Sequence, residues 1–412
     1  MKLYILIITA LLLSSMGTSI SAQSLEESLK IAAENNPLLK AKYAEFEAAM
    51  QKVAQVNSLP DPTFSFGYFV SPVETRVGPQ QAKLGLTQMF PWFGTLKTAG
   101  NVHALLAQAK YQEFINAKNE LYMQVKSGWY PIYEVNQKIG LQKENRAILR
   151  SYKQLATTGF KNDRSSMVDV IRVDIMIENT DTEIKLLQDQ LRPLYVHFNK
   201  LLNRSDSVVV KVEKEIGLIE ISTDYRKDSL LTNHPLLQSL DLKMKSAQAE
   251  EGLSKKQGMP KFGIGMDYVF VGDRTDAVVP DNGKNVFMPM VSMSIPIYRR
   301  KYKAATKEAQ FKQDAIVNYK TNTENILVSN YEIAWYELEK ARQLIELYEV
   351  QISNTKQAIS LLEIAYSNSG KDFEEILRMQ QELLQYQIAT ATATKAFFVA
   401  LAKLDNLTSK TE

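Results

Sequence analysis

Long stretches of this chain repeat apolar residues at helical spacing, with few glycines or prolines to interrupt them. The spacing predicts helices over 25–58, 95–158 and 166–203, the first broken at Asn35-Asn36-Pro37. The same pattern predicts helices over 225–257, 299–367 and 372–406. Between these stretches the period drops to two, predicting strands over 62–70, 82–90, 260–271 and 285–295. Phe64, Phe66, Tyr68 and Val70 share one face of the first strand, against Ser65 and Gly67. In the third, Phe262, Ile264, Met266, Tyr268 and Phe270 oppose Gly263, Gly265 and Asp267. In the fourth, Val291, Met293 and Ile295 oppose Met290, Ser292 and Ser294. One apolar, aromatic face over ~9–11 residues is the length and alternation of a transmembrane β-strand. A hairpin packed on helices would alternate in the same way. Two hairpins with matching faces favour lipid.

The order of these elements repeats. NNPLLKA at 35–41 returns as NHPLLQS at 233–239, a shift of 198 residues, and Pro62, Phe64 and Gly67 meet Pro260, Phe262 and Gly265 at the same shift. Pro91 matches Pro296 at 205, and Trp129-Tyr130 matches Trp335-Tyr336 at 206, as DVIR (169–172) does EILR (375–378). An ordered series with small insertions marks a duplication. The copies span 23–204 and 225–407, joined by 205–224 and followed by a tail at 408–412. Each copy is a helix, two strands and two long helices. Sixty-odd residues of helix reach on the order of 90–100 Å at ~1.5 Å per residue, a length that suggests coiled-coil packing. Ile326, Ile333, Leu344, Leu347 and Ile359 recur near heptad spacing. A spectrin-like bundle would account for the helices and leave the strands unexplained. Four strands cannot close a barrel, and an open edge in lipid leaves backbone groups unpaired. Strands that span must therefore be pooled between subunits, and three copies supply twelve.

Composition narrows the chemistry. Residues 1–22 have the charged start, apolar core and small-residue end of a cleaved secretory signal, and their apolar run is too short to span. There is no cysteine among 412 residues, which removes disulfides, thiolate metal sites and cysteine nucleophiles. His103, His197 and His234 have no histidine neighbour at i+3 or i+4, so no histidine-rich metal site is expected. A net charge of +3 does not suggest nucleic acid. Met288, Met290 and Met293 invite a copper(I) reading, since thioethers suit that ion. Alternation puts Met293 opposite Met290, which favours strand packing. No nucleophile motif, paired acid cleft or phosphate loop stands out, so neither an enzyme nor a cofactor is expected.

These features together carry a family resemblance. The chain resembles the TolC-like outer-membrane efflux family along essentially its whole mature length. The resemblance rests on the duplicated plan, on NNPLLKA and NHPLLQS, and on the prolines that end each copy's second strand. FPWFGTLK (90–97) is similar to the heavy-metal branch, where a PWFG or PWPG turn is common. The resemblance implies an α+β membrane protein, a homotrimer whose twelve-stranded barrel in outer-membrane lipid continues as a long periplasmic α-helical barrel. It implies a passive duct, docked through a periplasmic adaptor (membrane fusion) protein onto an inner-membrane RND-type transporter. The cargo it points to is heavy-metal cations; drug export or type I protein secretion would use the same fold. A soluble periplasmic coiled-coil scaffold is the alternative of another class.

The resemblance also assigns residues. The hairpin tips 157–166 and 365–373 form the periplasmic entrance, with Gly159, Phe160, Ser369 and Gly370 at the adaptor. The two glycines either fit the adaptor closely or act as helix C-caps. Asp169 and Glu375 take the places of lumenal acidic residues, with Arg172 and Arg378 one turn on, where relatives carry a second acidic residue. They form either a gating ring or ordinary i,i+3 surface pairs. Pro91, Trp92, Phe93 and Gly94, with Pro296 and Tyr298 in the second copy, make the corner where a strand leaves lipid for a helix. There Pro91 ends the ladder, Gly94 frees the backbone, and the aromatics meet the headgroups.

Overall fold

The computed structural model describes residues 24–163, 165–213, 216–218, 225, 231–369 and 373–409. The signal segment 1–22, much of the join 205–224 and the end of the tail lie outside the described residues. Among the described residues, seven principal helices and four strands follow one another: α1 (Leu25–Asn35), α2 (Pro37–Asn57), β1 (Thr63–Val73), β2 (Gln80–Phe90), α3 (Thr95–Lys161) and α4 (Met167–Leu201), then α5 (Pro235–Gln257), β3 (Lys261–Val271), β4 (Val286–Ser294), α6 (Arg300–Ser369) and α7 (Phe373–Thr408).

The repeated Asn-x-Pro motif has a local physical cause. Ser24 caps α1 by accepting from the Glu27 amide at 3.1 Å. The helix stops at Asn35 because Pro37 biases Asn36 toward extended backbone, here φ −62° and ψ 123°. Its counterpart His234 has φ −66° and ψ 126°, and Pro235 opens α5 at the position where its missing N–H costs nothing. The second copy thus breaks its helical stretch at the same place, and the continuous helix expected from Tyr225 is interrupted at His234.

The chain folds as two compact units, each drawing segments from both copies. One unit contains residues 38–117 and 228–328. It holds a four-stranded antiparallel sheet of order β1-β2-β3-β4, so the two hairpins join through β2 and β3 while β1 and β4 are edges. The register sets Phe64 opposite Leu86, Leu84 opposite Tyr268 and Ile264 opposite Val291. Pro289 sits in β4, where an edge strand tolerates a residue with no amide hydrogen. In the same unit, Tyr43 meets Phe114 edge-on at 5.4 Å, and the Ser246 hydroxyl donates to the Val102 carbonyl at 3.0 Å, tying α2 and α5 to α3.

The other unit contains residues up to Pro37, with 118–227 and 329–412. Its described core is built by α3, α4, α6 and α7. Trp129 packs on Phe198 at 5.5 Å, Tyr130 stacks on Phe398 at 4.9 Å, and Leu338, Ile345, Phe397 and Leu404 are almost wholly buried. Glu134, 9% exposed, is held by Lys138 at 2.7 Å, Lys395 at 3.3 Å and the Thr392 hydroxyl at 2.7 Å. Burial pushes its carboxyl up, but these partners prevail and hold it below the ordinary range.

Candidate functional site

Three places carry functional expectations. The first is the sheet. Phe64, Phe66, Tyr68 and Val70 are 64–89% exposed along β1, and Phe287, Val291 and Met293 are 53–84% exposed on β4. Ile264, Met266, Tyr268 and Phe270 continue the same exposed face on β3. The opposite face mixes small and polar residues with Met89, Val269, Met288 and Met290. There Asp267, 2% exposed, pairs with Lys83 from the other copy's hairpin. Gly85 makes room for the pair, since a Cβ there would meet Asp267 Oδ1 at 2.7 Å. The sequence reading placed Asp267 on this face but missed Lys83; its shared parity with Gly85 was the available signal.

The second place is the pair of helix-hairpin ends. Leu149, Tyr152 and Ala156 from α3, Val170 and Val173 from α4, Tyr366 from α6, and Phe373, Ile376 and Leu377 from α7 form one buried cluster. Tyr366 and Phe373 rings lie 5.3 Å apart, and the Tyr152 hydroxyl donates to Glu363 at 2.7 Å. Gly159 belongs to this packing: a Cβ there would stand 2.7 Å from Ser165 Oγ and 3.2 Å from the Tyr366 hydroxyl. Phe160 is 44% exposed beside it. Ser369 is the last residue of α6, and Gly370 lies outside the described residues.

Two of the four expected entrance residues, Glu375 and Arg378, pair with each other, while Asp169 and Arg172 have other partners. Asp169 is the third residue of a capping box, its carboxylate accepting the Ser166 amide at 3.2 Å while Ser166 Oγ accepts from Val168 at 3.1 Å. Arg172 does not pair with Asp169. Its guanidinium reaches Glu374 at 3.1 Å, joining the first copy's hairpin to the second's. Glu375 and Arg378 do form a local i,i+3 pair, with Glu382 a second partner of Arg378 at 3.3 Å. The Arg378 hydrogen bond holds the Glu375 carboxyl below its ordinary range. On the outer faces, Val168, Ile171 and Ile175 of α4 and Leu361 and Ile364 of α6 are exposed.

The third place is the strand-to-helix corner. Pro91 follows the last residue of β2, and Trp92 stacks on Phe262 at 6.0 Å, so the corner is fastened to β3. Phe93 meets Trp92 edge-on at 5.8 Å and is 80% exposed. Gly94 adopts φ +73°, a left-handed backbone that L side chains rarely enter. Its carbonyl starts α3 by accepting the Thr98 amide at 2.9 Å. In the second copy Pro296 lies two residues beyond β4, with Ile297 and Tyr298 77% and 85% exposed. Among the described residues no helix is long and apolar enough to cross a membrane, and no group of three or more His, Cys, Asp or Glu is placed to hold a metal ion.

This architecture recurs in solved structures. The outer membrane protein VceC from Vibrio cholerae superposes with a TM-score of 0.72 at 13% identity, over 93% of this chain and 95% of that one. The open-state MtrE outer membrane channel of Neisseria gonorrhoeae gives 0.71 at 14%, over 93% and 88%. The CmeC outer membrane channel of Campylobacter jejuni gives 0.69 at 14%, over 93% and 85%. The chain has the TolC-like channel fold. No protein-family model and no curated protein matches its sequence. Within the TolC-like fold, both hairpin ends and both corners are the places where the sequence predicted functional residues.

Proposed function

We propose that this protein is the outer-membrane channel of a tripartite efflux system, a passive trimeric duct for solute delivered by an inner-membrane transporter through a periplasmic adaptor. The observation that carries the reading is the sheet: four strands, an exposed aromatic face and two open edges. Exposing that face to water would be costly at ~25 cal/mol per Å² of apolar surface, and lipid removes the cost. The open edges of β1 and β4 need partners in lipid, and two further copies provide them, giving twelve strands.

Heavy-metal cations are the cargo we propose, on the FPWFG turn at 90–94. Asp169 and Glu375 would attract them at the entrance, and the Arg172–Glu374 pair would hold the two hairpin ends together in the shut state. The exposed tip, with Gly159 and Phe160, would receive the adaptor. Fractionation tests the placement: the protein should sediment with outer membranes and extract as a detergent-resistant trimer. Recovery as a soluble periplasmic monomer would refute it and favour the scaffold.

A further inference from the structure

A cavity of about 610 Å³ opens at the corner, within the sheet-bearing unit. Lys256 from α5, Lys261 from β3 and Lys301 from α6 line it, with Thr95 at the first turn of α3 and His103 two turns further on. No carboxylate lines it, and none of the three lysines forms an ion pair among the described residues. The start of α3 adds the positive end of a long helix. Such a wall favours an anion.

One detail shows that the wall is built. Lys256 Nζ is held at 2.7 Å from Thr98 Oγ1 and 3.4 Å from the Gly94 carbonyl, fixing one charge beside the corner.

Apart from Gln257 and Tyr302, the remaining wall is apolar. Trp92, Leu96 and Met259 line it, and Trp92 lies on Phe262, the first residue of the apolar face of β3. Inorganic phosphate would satisfy the amines and leave this surface bare. A molecule with a phosphate at one end and acyl chains at the other covers both. We propose that the cavity binds the anionic headgroup of a phospholipid, with its acyl chains laid along the apolar face of β3. The bound headgroup fixes the depth at which the corner sits in the membrane. This rests on the outer-membrane reading above.

Native mass spectrometry of the detergent-extracted protein tests it, with dioleoylphosphatidylglycerol, dioleoylphosphatidylcholine and 10 mM inorganic phosphate as probes. The wild type should retain phosphatidylglycerol at least fivefold more than phosphatidylcholine, through the phosphate challenge. K261Q/K301Q, which changes two exposed lysines, should lose that preference, whereas K143Q/K356Q, at exposed lysines outside the cavity, should keep it. Equal retention of the two lipids, displacement by inorganic phosphate, or an unchanged preference in K261Q/K301Q would each overturn the inference. A membrane-extracted trimer that retains no phosphatidylglycerol overturns this inference alone and leaves the channel reading intact.

Discussion

At the scale of residues, Asp169 carries two separable roles. Its carboxylate completes the capping box of α4, and its charge is the property proposed to attract cations. Asp169→Asn keeps an acceptor for the Ser166 amide and removes the charge, so single-channel cation selectivity should fall while thermal stability holds. Asp169→Ala should lower selectivity and also cost about 1 kcal/mol, a typical cap loss. Unchanged selectivity in both would remove Asp169 from the entrance. Gly94 offers a backbone test. A Cβ there would enter left-handed backbone and meet Lys256 Nζ at 3.1 Å, so Gly94→Ala should destabilise by about 1–2 kcal/mol. A melting temperature equal to wild type would contradict that account of the corner. Gly94 is visible in the sequence, because a lone glycine before a helix is a local signal, whereas the sequence reading gave Asp169 through the family resemblance and not its cap role. Arg172–Glu374 had no such signal, and for Lys83–Asp267 the parity of Lys83 with Gly85 gives only its face, since each partner lies in the other copy.

At the scale of elements, His234 ties helix α5 to pH. Its imidazole is 3% exposed and Nδ1 accepts the Leu236 amide at 3.2 Å, which requires the neutral ring. Burial pushes its pKa down to about 4. The unfolded chain takes up this proton near pH 6.5 and the folded one does not, so stability is complete above pH 6.5 and falls as pH drops toward 4. Between pH 7 and 5.5 the loss from this group should be about 1 kcal/mol. Denaturation of His234→Asn, which keeps a capping acceptor, should show a correspondingly smaller pH slope; an equal slope would contradict the assignment. The hairpin ends give a second test. Glu374→Arg breaks the pair with Arg172 and should raise the channel's open probability, and Arg172→Glu/Glu374→Arg should restore it. No change in either would show that the pair is a surface contact only. Element types were legible because both periods are local. The β2–β3 junction that makes one sheet of two hairpins was not, because strand pairing across 172 to 191 residues leaves no mark on either strand's own alternation.

At the scale of the whole molecule, the account turns on the two sheet edges. Within one chain β1 and β4 lie at opposite ends of the sheet and are not neighbours. In the proposed twelve-stranded barrel, β1 of each copy would pair with β4 of the next. Native cysteine is absent from the sequence, so engineered thiols report this contact without background. The most direct measurement is a cysteine-pair scan, one thiol at positions 64–70 of β1 and one at 287–293 of β4, oxidised in outer membranes and run on a non-reducing denaturing gel. The account expects covalent dimers and trimers for pairs in register, and none for single-cysteine chains. Monomers throughout the scan would contradict it.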